Sequence, residues 1–346
     1  MFFALTEDQQ EFGKAVRDYL AERFDLAAVR EVVEGGVADG NPASLWAAAG
    51  EQGWLAVTVG EEHDGLGLGL VEAQVIARAL GAGVAPGPWR GTVLAAEAIR
   101  LAGSDEQRRA WLPKLAAGEA VGAVSHRGDV AGGLPAVEYG AEADVVVGPS
   151  DPDLAGLSLL TGATATPVGS YDGTTRLASL SGGTAEALPG ATVELQKQLT
   201  DRATVLVAAD LVGIAREALT RTVAYDRDRE QFGVPVGSFQ AIKHALADLH
   251  VGVTMAEHAS LYAAHAADSA AAGVLDPAEA DLAVSVAKAK ASEVALQATA
   301  AMIQYHGGIG YTWEHEAHFF YKRAKRLAGQ YGDVAVHRER IATLTV

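Results

Sequence analysis

Arg229-Glu230-Gln231-Phe232-Gly233, followed by Phe239-Gln240, puts a guanidinium and an amide at the two ends of a loop turned by Gly233, Pro235 and Gly237. An arginine placed this way can make charge-assisted hydrogen bonds to a pyrophosphate-like anion, and a glutamine amide adds a neutral bond. Farther along, Gln304-Tyr305-His306-Gly307-Gly308-Ile309-Gly310-Tyr311 ends an alanine-rich stretch in a glycine turn, where backbone N–H groups become available to a ligand. Each piece also has a plainer reading. Arg229 can simply cap its helix, Gln240 can open the next one, and the glycines fit an ordinary helix C-cap. His306, His315 and His318 with Glu314 and Glu316 suggest a metal set, but their crowding at 314–318 reads as the polar surface of one segment. Asp210 lies inside the apolar run Val207–Ile214; a buried acid there needs a partner, and it reads as a subunit contact rather than a catalytic group.

The elements that must position these residues are legible from caps and periodicity. Thr6-Glu7-Asp8-Gln9 is a capping-box pattern, and Phe12, Val16, Tyr19 and Leu20 share a helical face. Asn41-Pro42 reads as a second cap, and Ser104-Asp105-Glu106-Gln107 opens another helix through Trp111 and Leu112. Residues 1–117 therefore read as a helical domain. Over 118–200 the texture changes to short Val/Leu/Thr runs broken by Gly and Pro, which predicts a small β domain. From 201 onward helical period returns: Val207, Leu211, Ala215, Leu219 and Val223 form one stripe, and Phe239, Ile242, Leu246, Leu249 and Val253 another. Asp276-Pro277-Ala278-Glu279 supplies the N-cap of a third long helix. The fold class is α+β and mostly α, with a C-terminal four-helix bundle over 201–346.

Composition limits the partners. The chain has 346 residues, 49% of them hydrophobic, and a formal net charge of -17. A large core is possible, and long-range attraction to nucleic acid or to anionic lipid is excluded. No apolar run reaches the length of a membrane span, and Met1-Phe2-Phe3-Ala4-Leu5 meets Glu7 and Asp8 instead of opening a basic signal peptide. A cytoplasmic location is the resulting expectation. The absence of cysteine excludes disulfides, thiolate metal sites and a cysteine nucleophile.

Together with Trp46, Gly53-Trp54, Leu112-Pro113-Lys114-Leu115-Ala116-Ala117-Gly118-Glu119 and Tyr171-Asp172-Gly173-Thr174-Thr175-Arg176, the two loop motifs resemble the acyl-CoA dehydrogenases along most of the chain. The Tyr311–Glu316 segment is similar to versions in the actinobacterial branch that handles steroid-derived acyl-CoAs. The resemblance implies a flavoenzyme for α,β-dehydrogenation of an acyl-CoA thioester. It also implies an FAD whose adenine and pyrophosphate are held by Arg229, Gln231, Phe232, Phe239, Gln240, Gln304, Gly307 and Gly308 across a subunit interface. Electron-transfer flavoprotein is the expected acceptor. In the family a Glu removes the α-proton while a hydride leaves the β-carbon. The positions matching its two known locations are Tyr331 and Ala203, and neither is a carboxylate. Asp333 and Asp201 lie near them, with plainer readings as a loop acid and a helix N-cap. The segments that hold the flavin ring are also missing after Gly118-Glu119, so the middle domain reads as reduced. What is kept and what is lost point to a subunit of a heteromeric (α2β2) enzyme, whose homologous partner carries the Glu. A homodimer using Asp333 and a non-catalytic acyl-CoA-binding relative are the alternatives.

Overall fold

The computed structural model describes residues 4–151 and 156–346. Met1-Phe2-Phe3, on which the N-terminal reading partly rests, lie outside them. The described residues begin with six α-helices: α1 (Glu7–Arg23), α2 (Leu26–Val33), α3 (Ala43–Glu51), α4 (Leu70–Ala82), α5 (Trp89–Ala102) and α6 (Asp105–Ala117). The caps at Thr6 and Ser104 form as complete boxes, each side chain accepting from the N3 backbone while the N3 glutamine side chain bonds back to the cap. Asn41-Pro42 behaves differently from its reading. Pro42 is itself the N-cap of α3, with no side-chain bond, and Asn41 stands outside the helix.

Seven short strands follow: β1 (Gly122–Val124), β2 (Leu134–Glu138), β3 (Val145–Pro149), β4 (Leu157–Thr161), β5 (Thr164–Val168), β6 (Leu177–Ser181) and β7 (Thr184–Ala187). They form a four-stranded sheet in the order β1-β3-β4-β7 and a three-stranded sheet in the order β2-β6-β5. β3 is buried along its length because it is covered on both faces. Val145 and Val147 join a core with Ile99, Leu112 and Leu115 of the helices, whereas Val146 joins Leu134, Val137 and Leu180 of the second sheet. That division follows from the two-residue alternation of a strand.

Helical structure then resumes with α7 (Val193–Asp228), a hairpin of β8 (Glu230–Gln231) and β9 (Val234–Pro235), and α8 (Gln240–Ala271), α9 (Pro277–Tyr305), α10 (Ala317–Ala328) and α11 (Val334–Thr345). The predicted stripe on α7 is buried from Val207 to Leu219, and on α8 Leu246 and Val253 are buried. Asp276 caps α9 by accepting from Ala278 N–H, with Pro277 in the first turn. The mostly helical α+β class and the C-terminal helical bundle are as the sequence indicates. Asp201 is not an N-cap: α7 starts at Val193, and Asp201 is buried within it, ion-paired to Lys197 at 2.9 Å.

The chain divides into two compact units. One comprises the chain up to Arg30 with Gln74–Ala85 and Thr204–Val346; the other comprises Glu31–Ala73 and Pro86–Ala203. In the first unit, glycines let helices approach closely. A Cβ on Gly213 would lie 2.0 Å from the Arg78 carbonyl oxygen, and one on Gly81 would lie 2.2 Å from that of Asp210. In the second unit, Trp46 donates to the Gly118 carbonyl, and Arg176 donates to the carbonyls of Val32, Val37 and Gly173. Trp46 and Arg176 therefore have structural work in this fold.

Candidate functional site

The two loop motifs stand at one end of the bundle. Tyr225, four residues before Arg229, stacks on His306, two residues after Gln304, with ring centroids 4.3 Å apart. That contact brings the end of α7 and the end of α9 side by side. His306 is held in place by a 2.7 Å bond between its Nδ1 and the Met302 carbonyl, and burial lowers its pKa. It is a neutral ring packed in the core, not a ligand-seeking one.

The hairpin between α7 and α8 has a two-residue tip, Phe232-Gly233, and both residues have positive φ, 57° and 79°. A tip of this kind matches the twist of the flanking strands, but it suits Asn-Gly far better than a phenylalanine. Phe232 is nonetheless there, 93% exposed, and its ring lies edge-to-face with that of Phe239 at a centroid distance of 6.2 Å. A strained residue that presents a large apolar ring to solvent gains little from the fold, which makes Phe232 a candidate for function. Arg229, Gln231 and Gln240 are exposed beside it. The Gln231 amide donates to the Glu230 carbonyl at 2.7 Å, and the Gln240 amide lies 3.4 Å from His244. The Arg229 backbone closes the turn, accepting from Val236 N–H at 2.7 Å.

α9 ends at Tyr305, with His306 as its C-cap, and Gly307–Tyr311 continue as a 3-10 turn. Gln304, Gly307 and Gly308 are exposed. Cβ atoms built on Gly307 or Gly308 would meet nothing within 4 Å, so the backbone there is open to a ligand's approach. Ile309, Tyr311 and Trp313 add exposed apolar surface. Every sequence-predicted binding residue is thus solvent-facing, on two segments joined by the Tyr225–His306 stack. An anionic, flat-ended ligand fits this set: guanidinium, amides, open backbone and an aromatic ring.

No acid occupies either base position. Ala203 is 3% exposed. Tyr331 sits in a left-handed turn with φ of 55°, and its carbonyl accepts from the His337 ring. Asp333 caps α11 by accepting from Val336 N–H at 3.0 Å. The metal reading of the histidine segment finds no support: among the described residues, no group of three His, Asp or Glu side chains is arranged to hold an ion. Asp210 has its partner within the chain. Arg323 binds both its oxygens, at 3.1 and 2.7 Å, and also donates to the Ala85 carbonyl, so the subunit-contact reading of Asp210 gives way to an internal staple.

Sequence reasoning passed over two groups. Lys288 is fully buried on α9 and donates to Ser292 Oγ, the Ala328 carbonyl and the Gly332 carbonyl, clamping the turn that carries Tyr331. Its signal was present, since Val284, Lys288, Ser292 and Ala295 share one helical face. Asp226 is 1% exposed, and neither carboxyl oxygen has a hydrogen-bond partner among the described residues. One acid among the charges of a helix end carries no such signal.

A family model described as acyl-CoA dehydrogenase, C-terminal domain, matches residues 193–344, and one described as acyl-CoA dehydrogenase, N-terminal domain, matches residues 6–119. Acyl-CoA dehydrogenase IpdE2 of Mycobacterium tuberculosis is 35% identical over 322 residues, which cover 92% of this chain and 91% of the relative. The chain belongs to the acyl-CoA dehydrogenase family. Among solved structures, the ChsE4-ChsE5 complex from Mycobacterium tuberculosis is similar, with a TM-score of 0.88 at 25% identity over 99% of this chain and 98% of that one. A variant of the steroid ACAD Tcur3481-Tcur3483 is similar with a TM-score of 0.85 at 25% identity, over 98% of this chain and 97% of that one. No helix among the described residues is long and apolar enough to cross a membrane.

Proposed function

We propose that this acyl-CoA dehydrogenase is a subunit that grips the adenine and pyrophosphate of an FAD shared across a subunit interface, while a homologous partner supplies the catalytic glutamate. One observation carries the reading: the residues suited to a dinucleotide all face solvent, while both base positions lack a carboxylate and the nearby Asp333 is occupied as a helix cap. A site that faces outward and lacks its reactive half is complementary to another chain. Arg229 would hold the pyrophosphate, Gln231, Gln240 and Gln304 would add amide bonds, and Phe232 and Phe239 would flank the adenine, with Gly307 and Gly308 giving backbone access. FAD supplies hydride acceptance when bound; this chain's residues bind and orient its nucleotide end. The similarity to a named two-protein complex and to a steroid ACAD supports an α2β2 assembly acting on a bulky, steroid side-chain CoA ester. An electron-transfer flavoprotein is the acceptor we assign. The division into 1–117, 118–200 and 201–346 belongs to the same proposal.

The test is to express the chain alone and together with a homologous subunit encoded beside it, then record flavin absorbance and enoyl-CoA formation with a dye acceptor. Flavin and turnover are expected only in the pair. Turnover by the chain alone would overturn the reading, and no turnover in any pairing would favour a non-catalytic relative.

A further inference from the structure

Asp226 lies on the last turn of α7, directly before the loop that begins at Arg229. It is 1% exposed, and both of its carboxyl oxygens are without a partner among the described residues. A buried carboxylate with no donor is strongly disfavoured, so the group must either keep its proton or reach water. The turn Val236–Ser238 packs against the backbone and Cβ of Asp226: a Cβ on Gly237 would stand 3.0 Å from the Asp226 carbonyl oxygen and 3.5 Å from its Cβ. That turn carries no ionisable side chain. In sequence the nearest titratable groups are Tyr225, Arg227 and Asp228 on α7, Arg229 and Glu230 in the loop, and Lys243 and His244 on α8; none of them bonds the carboxyl. Tyr225 is engaged with His306 instead. Burial alone pushes the Asp226 carboxyl up to about 6.

We propose that Asp226 is a positioning residue for the 229–240 loop: protonated it lets the loop seat, ionised it loosens the loop, and so it places the grip on the nucleotide end of FAD under proton control. The inference rests on the assignment of that loop to FAD. In this proposal an ionised Asp226 reaches water by lifting the turn Val236–Ser238 that packs on it. Lifting breaks the bonds from Val236 N–H to the Arg229 carbonyl, 2.7 Å, and from Phe239 N–H to the Val236 carbonyl, 3.2 Å. The direction follows from linkage. The closed form binds the proton more tightly than the open form, whose carboxyl titrates at the ordinary 3.8. Closure is therefore favoured at low pH, and opening increases as pH rises through 6 and then levels off. Between pH 5 and pH 7 the opening constant should rise about tenfold.

The experiment is hydrogen exchange at the Val236 and Phe239 amides of the full-length chain, corrected for intrinsic rates, in the wild type, Asp226→Asn and Asp226→Ala. FAD retention by the co-expressed complex is followed over the same pH range. The expected result is a tenfold increase in opening for the wild type, a flat profile for both variants, and FAD loss that tracks opening only in the wild type. A flat wild-type profile, or the same slope in the variants, overturns the proposal. A slope in exchange with unchanged FAD retention overturns the link to flavin and the loop's assignment together. If Arg229→Ala sheds FAD while exchange stays flat, the assignment stands and the role of Asp226 falls.

Discussion

Phe232 holds a left-handed backbone conformation, which costs an L-residue about 1 kcal/mol or more, and its side chain gains almost nothing from the fold in return. Phe232→Gly should therefore leave thermal stability equal or slightly higher while reducing FAD retention in the complex. Unchanged retention on gel filtration would take the ring out of the site. Arg229→Ala should also lower retention with both folds intact by circular dichroism. Tyr331→Phe should leave turnover of the complex unaltered, since a phenol is a poor base at neutral pH. Below that turn, burial and the nearby Lys288 charge push His337 down to about 4. The unfolded chain binds a proton at this histidine between about 6.5 and 4 and the folded chain does not, so its contribution to stability is present above 6.5 and lost on acidification to 4. The loss is on the order of 3 kcal/mol. His337→Gln should flatten denaturant midpoints across that window, and an unchanged pH slope would disprove the assignment.

At the scale of elements, the sequence was readable where a local rule decides the outcome. Thr6, Ser104 and Asp276 each announced a helix start that the structure contains, because a cap is written in adjacent residues. The start of α7 was hidden: its first turns carry Gln196, Lys197 and Gln198, so Asp201 looked like the first helical signal when it was already inside. The proposed binding residues are nameable from the loop motifs, but the left-handed Phe232 is not, since Phe is a poor residue for a two-residue hairpin tip, nor is the clamp at Lys288, since its burial is set by neighbours distant in sequence. Ser104→Ala should cost about 1 kcal/mol of stability through loss of the α6 cap. Gly213→Ala should cost more, about 1–3 kcal/mol, because its methyl would strike the Arg78 carbonyl on α4. Equal melting temperatures for the two variants would contradict that close approach.

On the scale of the molecule, the Asp210–Arg323 pair shows how one compact unit is assembled from distant parts of the chain. Arg323→Met should destabilise that unit by about 3–5 kcal/mol, because Asp210 would stay buried without its counter-charge; a smaller effect on replacing both residues by apolar ones would show that the unpaired charge is the cause. Arg323 also bonds the Ala85 carbonyl, 238 residues earlier in sequence. During synthesis, at roughly 5–20 residues per second, the α4 segment leaves the ribosome on the order of ten to fifty seconds before the arginine that secures it. Through that interval α4 meets α7 but lacks the arginine that neutralises the buried Asp210 between them, so nascent chains arrested short of Arg323 should be cut by protease within α4 and α7 more readily than the full chain.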